Sequence, residues 1–218
     1  MRKHTLYFIL IIFTSLNLLA QENKNELGIS LFSLETYEPG HFDFGLGGYI
    51  NPLNSIVYKR KIKEDIKLRG ILTAEINASS SPDYRDDCVD CGSFTHTANL
   101  IGLSAGIQTG RTFGKFSPYG YLDLFYSYKF ETAEYFYPLS SNGGYSREIN
   151  SIGTRLGFGL EYNFSERLSL ALEPSLSIAQ QSIHGVGYQV FVLQTWDGTK
   201  QFDFKFRGVN MLSLNVKF

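Results

Sequence analysis

Beyond residue 20 the 218-residue chain has no apolar run approaching the ~20 residues of a membrane-spanning helix, which excludes a helical membrane domain there. Cysteine is nearly missing: two residues, Cys88 and Cys91, sit in one short stretch, so a four-cysteine zinc site cannot be built. Charge is sparse as well, at 19% against the usual ~25%. The net value of −1 leaves no basic surface for nucleic acid. None of the four histidines is followed two positions on by serine, which removes the His-x-Ser pattern of some lipid-modifying hydrolases. A nucleophile–base pair of that kind is therefore not expected, and the chain reads as a non-enzyme.

What remains is glycine (21 residues), tyrosine (14) and phenylalanine (18), a composition that points to an all-β protein. The front differs from the rest. Arg2, Lys3 and His4 precede an apolar run from Leu6 to Phe13, and "TSLNLLAQ" closes on small residues. This is the pattern of a cleaved secretory signal over residues 1–20, leaving one domain over residues 21–218. The apolar run is too short for an anchor, and no cysteine near the cleavage point suggests a lipoprotein.

Three tight polar turns recur along the chain, in "KIKEDIKL" around Glu64, "RTFGKFSP" around Gly114 and "YNFSERLS" around Ser165. They are 50 and 51 residues apart, and one further step reaches residue 216. Each is flanked by alternating segments, as in a hairpin. Longer polar stretches at 36–48, 78–96, 132–147 and 182–203 separate them. Each period thus holds two strands, one tight turn and one long loop. Eight antiparallel strands are expected, at 26–35, about 49–62, 66–77, 97–110, 116–130, 149–163, 167–179 and 204–218. Pro52 and Pro174 each remove a ladder donor, and a bulge is expected at Pro174.

The two faces of these strands are unlike. In the seventh, Leu168, Leu170, Leu172, Leu176 and Ile178 oppose Ser169, Ala171, Glu173, Ser175 and Ser177. The polar face is small and nearly uncharged, a poor solvated surface but a good lining for a narrow lumen. The same division separates Ile101, Leu103 and Ile107 from Gly102, Ser104 and Gln108, and Leu122, Leu124 and Tyr126 from Tyr121, Asp123 and Phe125. The expected fold is an eight-stranded antiparallel up-and-down transmembrane β-barrel, with short periplasmic turns and long extracellular loops.

The signal-like start, the eight strands, the turn "YKRKIKEDIKLR" and the closing "SLNVKF" resemble the small outer-membrane β-barrel domain family of Gram-negative bacteria, of OmpA/OmpX-type architecture. The resemblance implies an outer-membrane location and a terminal strand read by the barrel-assembly machinery, for which Leu212, Leu214, Val216 and Phe218 match the pattern. As plain structure, the same four side chains are the lipid-facing set of the last strand.

Inside the barrel, Arg69, Glu75, Asp123, Arg155, Glu161, Glu173 and Arg207 are expected to form a lumen charge network. Glu75, Asp123, Arg155, Glu173 and Arg207 have similar residue counts above their turns, which would put them at one level. Buried charges must be paired, so a polar plug is expected and a narrow channel is the alternative. Exported chains favour oxidation, so a Cys88–Cys91 disulfide is expected. A redox pair, or a metal site assisted by His96, are the other readings of "DDCVDC". No cofactor is implied. The expected partners are outer-membrane lipid and an extracellular protein or glycan at aromatic loops such as "AEYFYPLSSNGGY", with the barrel itself a monomer. A role as an assembly or secretion partner is a further alternative.

Overall fold

The structure is a computed structural model that describes residues 24–35, 49–52, 54–82, 93–136, 143–189 and 192–218. The expected signal and Cys88 and Cys91 lie outside the described residues. Among the described residues nine strands form: β1 (Asn25–Glu35), β2 (Tyr49–Pro52), β3 (Ser55–Lys63), β4 (Ile66–Pro82), β5 (Ser93–Gly110), β6 (Phe116–Phe136), β7 (Gly143–Asn163), β8 (Leu168–Gln189) and β9 (Val192–Lys217). No described residue is helical.

Eight of these strands close a ring. Each of β3 to β9 pairs antiparallel with its neighbour in the chain, and β1 pairs with both β3 and β9. The closing ladder sets Leu27 opposite Val216 and Ile29 opposite Leu214. Backbone bonds between Asn25 and Phe218, 3.0 and 2.9 Å, finish it. "MLSLNVKF" is therefore the closing strand: Leu214 and Val216 face outward, while Met211, Ser213 and Asn215 are buried inside. Full closure leaves no free edge around the ring, which is what an antiparallel sheet needs where water cannot complete its hydrogen bonds.

The expected second strand is broken in two. β2 pairs with the upper end of β1 (Phe32 with Pro52) and β3 with its lower end (Ile29 with Ile56). The break follows Pro52, which has no N–H for the ladder. Pro174 has the expected consequence: the β8–β9 register shifts between Glu173 and Ser175.

The tight turns lie where the period places them. Glu64 and Asp65 link β3 to β4. Gly114 adopts φ 62°, a left-handed conformation that glycine takes at no steric cost. Ser165 Oγ accepts hydrogen bonds from the N–H groups of Arg167 and Leu168, at 3.3 and 3.1 Å. The long-loop expectation needs correction. β4 runs to Pro82, β5 starts at Ser93, β6 ends at Phe136, β7 starts at Gly143, and β8 and β9 continue to Gln189 and from Val192. Most of 132–147 and 182–203, and both ends of 78–96, are thus strand rather than loop. Threonine, serine and tyrosine alternate well enough to sustain a ladder in water. Polarity there marks a change of surroundings rather than the end of a strand.

The faces are inverted relative to a water-soluble domain. The largest fully buried side chains include Lys59, Glu131, Glu161, Glu173 and Asp123. Exposed on the outside are Leu72, Ile101, Leu103, Leu124, Ile152, Leu156 and Phe158, among many others. Soluble monomers rarely carry a contiguous apolar surface of this extent. At the tight-turn edge the belt ends in aromatic rings: Phe116 against Tyr162, and Tyr162 against Phe164, both pairs with centroids 5.1 Å apart.

Candidate functional site: the charged lumen

Four strands deliver the central cluster. Arg69 on β4 makes a two-pronged contact with Glu173 on β8, Nη2 to Oε2 at 2.7 Å and Nη1 to Oε1 at 3.2 Å. Its Nε lies 3.3 Å from Asp123 Oδ1 on β6. Tyr119, also on β6, donates its hydroxyl to Glu173 Oε1 at 2.6 Å. Lys59 on β3 brings its ammonium to 4.0 Å from the same oxygen and 5.0 Å from the Tyr119 ring centre. The Arg69 guanidinium stacks over Tyr121 at 4.1 Å. Asp123 and Glu173 are both 0% exposed and Arg69 is 3% exposed. A planar guanidinium matched to a carboxylate at two points is among the strongest charge-assisted contacts a protein makes.

Room for this cluster comes from glycine. On β7, "GFG" puts Gly157 and Gly159 on the lumen face. A Cβ at Gly159 would fall 2.3 Å from the Tyr119 ring, and one at Gly157 2.5 Å from Tyr121. The tyrosines lie across the bare backbone of the neighbouring strand, which lets their hydroxyls reach β8. Tyr121 donates to the carbonyl of Pro174 at 3.2 Å, at the bulge.

Below this layer, toward the tight turns, Glu161 receives Lys217 at 2.7 Å and Lys67 at 3.9 Å. Lys67 also meets Glu26 at 2.5 Å. A cavity of about 490 Å³ opens at this end, and its lining includes Lys61, Lys67, Gln108, Arg111, Tyr119 and Glu161. Above the layer, Asn54 donates to Glu75 at 2.5 Å. Higher still, the fully buried carboxylate of Glu131 holds Lys129 at 2.8 Å and pairs with Arg147, with His96 at 3.9 Å.

The seven residues expected in the lumen network are thus spread over several levels. Arg69, Asp123 and Glu173 meet. Glu161 lies below them and Glu75 above. Arg155 stacks on Phe125, 5.1 Å from its ring centre. The side chain of Arg207 lies outside the described residues. Of the five residues that the count puts at one level, Asp123 and Arg155 face each other across β6 and β7, and Asp123 and Glu173 meet through Arg69. The count misses Arg69 itself, which stands five residues above Glu64 while its partners stand nine above Gly114 and eight above Ser165, because tilted strands are staggered.

Lys59 was not legible in advance, since the broken second strand gave no face. Alternation from Val57 (buried) through Tyr58 (exposed) is the signal that would have found it. A second omission is Ser182, whose Oγ lies 3.2 Å from His184 Nε2 on the outward side of β8. The order is Ser-x-His, the reverse of the pattern considered above. The pair is exposed, without the water-excluded setting in which acyl transfer gains most. Among the described residues no group of histidine, cysteine and carboxylates is arranged to hold a metal ion.

No protein-family model matches the chain, and no curated protein matches it in sequence. Neither comparison thus connects it to OmpA/OmpX-type proteins. Among solved structures it is similar to the solution structure of the Escherichia coli outer membrane protein W, at 15% identity and a TM-score of 0.48, over 89% of this chain and 97% of that one.

Proposed function

We propose that this protein is an integral outer-membrane β-barrel whose lumen is closed at mid-height, and that it works through its outward hairpins as a structural or surface-binding element. The observation that carries closure is the Arg69–Glu173–Asp123 cluster. Side chains from β4, β6 and β8 reach across the lumen and meet with almost no exposure. A through-path for a solute would have to separate a doubly hydrogen-bonded ion pair in a low-dielectric interior. Insertion is supported by the apolar outer belt, where a charged side chain at mid-depth costs about 2–4 kcal/mol. In this reading the tight turns face the periplasm. Leu212, Leu214, Val216 and Phe218 serve the assembly machinery as well as the lipid. The chain acts as a monomer and has no enzymatic role. An extracellular protein or glycan is the partner assigned to the hairpins.

The test is conductance. Purified protein in planar bilayers should give no steady single-channel steps. Arg69→Ala together with Glu173→Ala should introduce them. Regular steps from the unaltered protein would instead favour a narrow channel, with the cluster as its constriction.

A further inference from the structure

The exposed charges at and beside the three tight turns are strongly one-sided. Arg60, Lys61, Lys63, Arg111, Lys115 and Arg167 lie there, against Glu64, Asp65 and Glu166: six cations and three carboxylates in a chain whose total is −1. Only one contact among these nine is an ion pair, Arg111 with Asp65 at 3.5 Å, and both are well exposed. The cations are distributed over all three tight turns rather than gathered on one.

Their depth relative to the apolar belt is the second observation. Arg60 is exposed on the outward face of β3, one outward position below Tyr58, which is itself 43% exposed. Lys115 stands between Phe113 and Phe116, both exposed. Arg167 immediately precedes Leu168, the first outward leucine of β8, and follows Phe164 by three residues. Each of these cations is thus within three residues of a ring that closes the belt. Long basic side chains at such a level keep their stems on apolar surface and their heads in the headgroup layer. Lipid phosphates lie in that layer.

We infer that the tight-turn end is a collar that binds the headgroups of anionic phospholipid in the leaflet it faces. This rests on the reading of the chain as a membrane barrel. Attraction between basic groups and an anionic lipid surface acts within about a Debye length, some 8–10 Å, and adds up over several cations. A zwitterionic headgroup carries no net charge to answer the excess. The collar therefore selects phosphatidylglycerol over phosphatidylcholine. Its chemistry is that of multiple weak phosphate contacts, not one enclosed pocket.

The experiment uses the full barrel reconstituted in nanodiscs of equal phosphatidylglycerol and phosphatidylcholine, followed by partial delipidation and mass spectrometry of the retained lipid. The native chain should retain phosphatidylglycerol several-fold over phosphatidylcholine, and added sodium chloride should reduce the preference. Arg60→Gln with Lys63→Gln, Lys115→Gln and Arg167→Gln should bring the ratio close to that of the bulk. Arg60→Lys with Arg167→Lys should preserve it. Equal retention by the native chain, or an unchanged preference in the four-glutamine variant, overturns the collar. So does loss of the preference to inorganic phosphate at constant ionic strength, which would reveal a free-anion site. If the native chain never enters a bilayer, judged by protease protection, the membrane reading fails and the collar with it.

Discussion

The lower barrel and the upper hairpins are made from the same strands, yet they are held together differently. Below, β1 and β3 complete the ring, and side chains from opposite walls meet in the lumen. Above, β8 and β9 run on together, from Ile183 paired with Thr199 to Gln189 paired with Val192. Contacts there run mainly between neighbours. Gln181 donates to Asp203 at 3.0 Å and Gln201 donates to Gln181 at 2.8 Å, all on β8 and β9. Closure and cross-lumen pairing belong to the belt; the upper hairpins are held by their ladders and by side-chain contacts between neighbouring strands, such as those around Glu131.

If so, mutations should separate the two regions by size of effect. The largest loss is expected from Arg69→Ala, about 3–5 kcal/mol by urea unfolding in detergent, because Glu173 and Asp123 are left buried without their partner. Replacing both ends, Arg69→Met with Glu173→Leu, should recover only part of it, because Asp123 then stays buried without Arg69 and Lys59 without Glu173; full recovery would mean that the Arg69–Glu173 pair alone sets the loss. Next comes Leu124→Arg on the outer belt, expected to cost about 2–4 kcal/mol in lipid. An unchanged stability in vesicles would place β6's outer face outside the membrane. Gly159→Ala should cost about 1–3 kcal/mol by pressing on Tyr119, whose hydroxyl is tied to Glu173. A near-neutral result would show that the ring can move aside. The smallest effect belongs to the hairpin: Gln181→Ala with Gln201→Ala should stay within about 0.5 kcal/mol. A loss comparable to that of Arg69→Ala would erase the distinction between the regions.

Much of the belt was legible in the sequence because a period of two is visible locally. Leu168 through Ile178 separate from Ser169 through Ser177 without any knowledge of partners. Height was legible only in part, for Asp123, Arg155 and Glu173, because stagger is a property of eight strands together. No single turn reveals that Arg69, so near its own turn, reaches the level of Glu173. Strand length was misread for a different reason. At Thr95, Thr97 and Asn99 on β5 and at Thr132 and Glu134 on β6 the residues on the outward side are polar while the ladder continues, so the sequence there resembles a loop. Lys59 was hidden by Pro52, which split its strand and removed the clue to its face.

The β1–β9 seam also has a temporal meaning. It joins residues as far apart as Asn25 and Phe218, 193 positions along the chain, the largest separation among the strand pairings of the ring. Pairing over such a separation carries the largest loop-closure entropy in the molecule and belongs late in folding. Until then β1 and β9 each present an open strand edge, the feature that most invites pairing with the wrong chain. The vulnerable interval in this protein's life is therefore set by how long that one seam waits, and whatever shortens the wait protects the whole barrel.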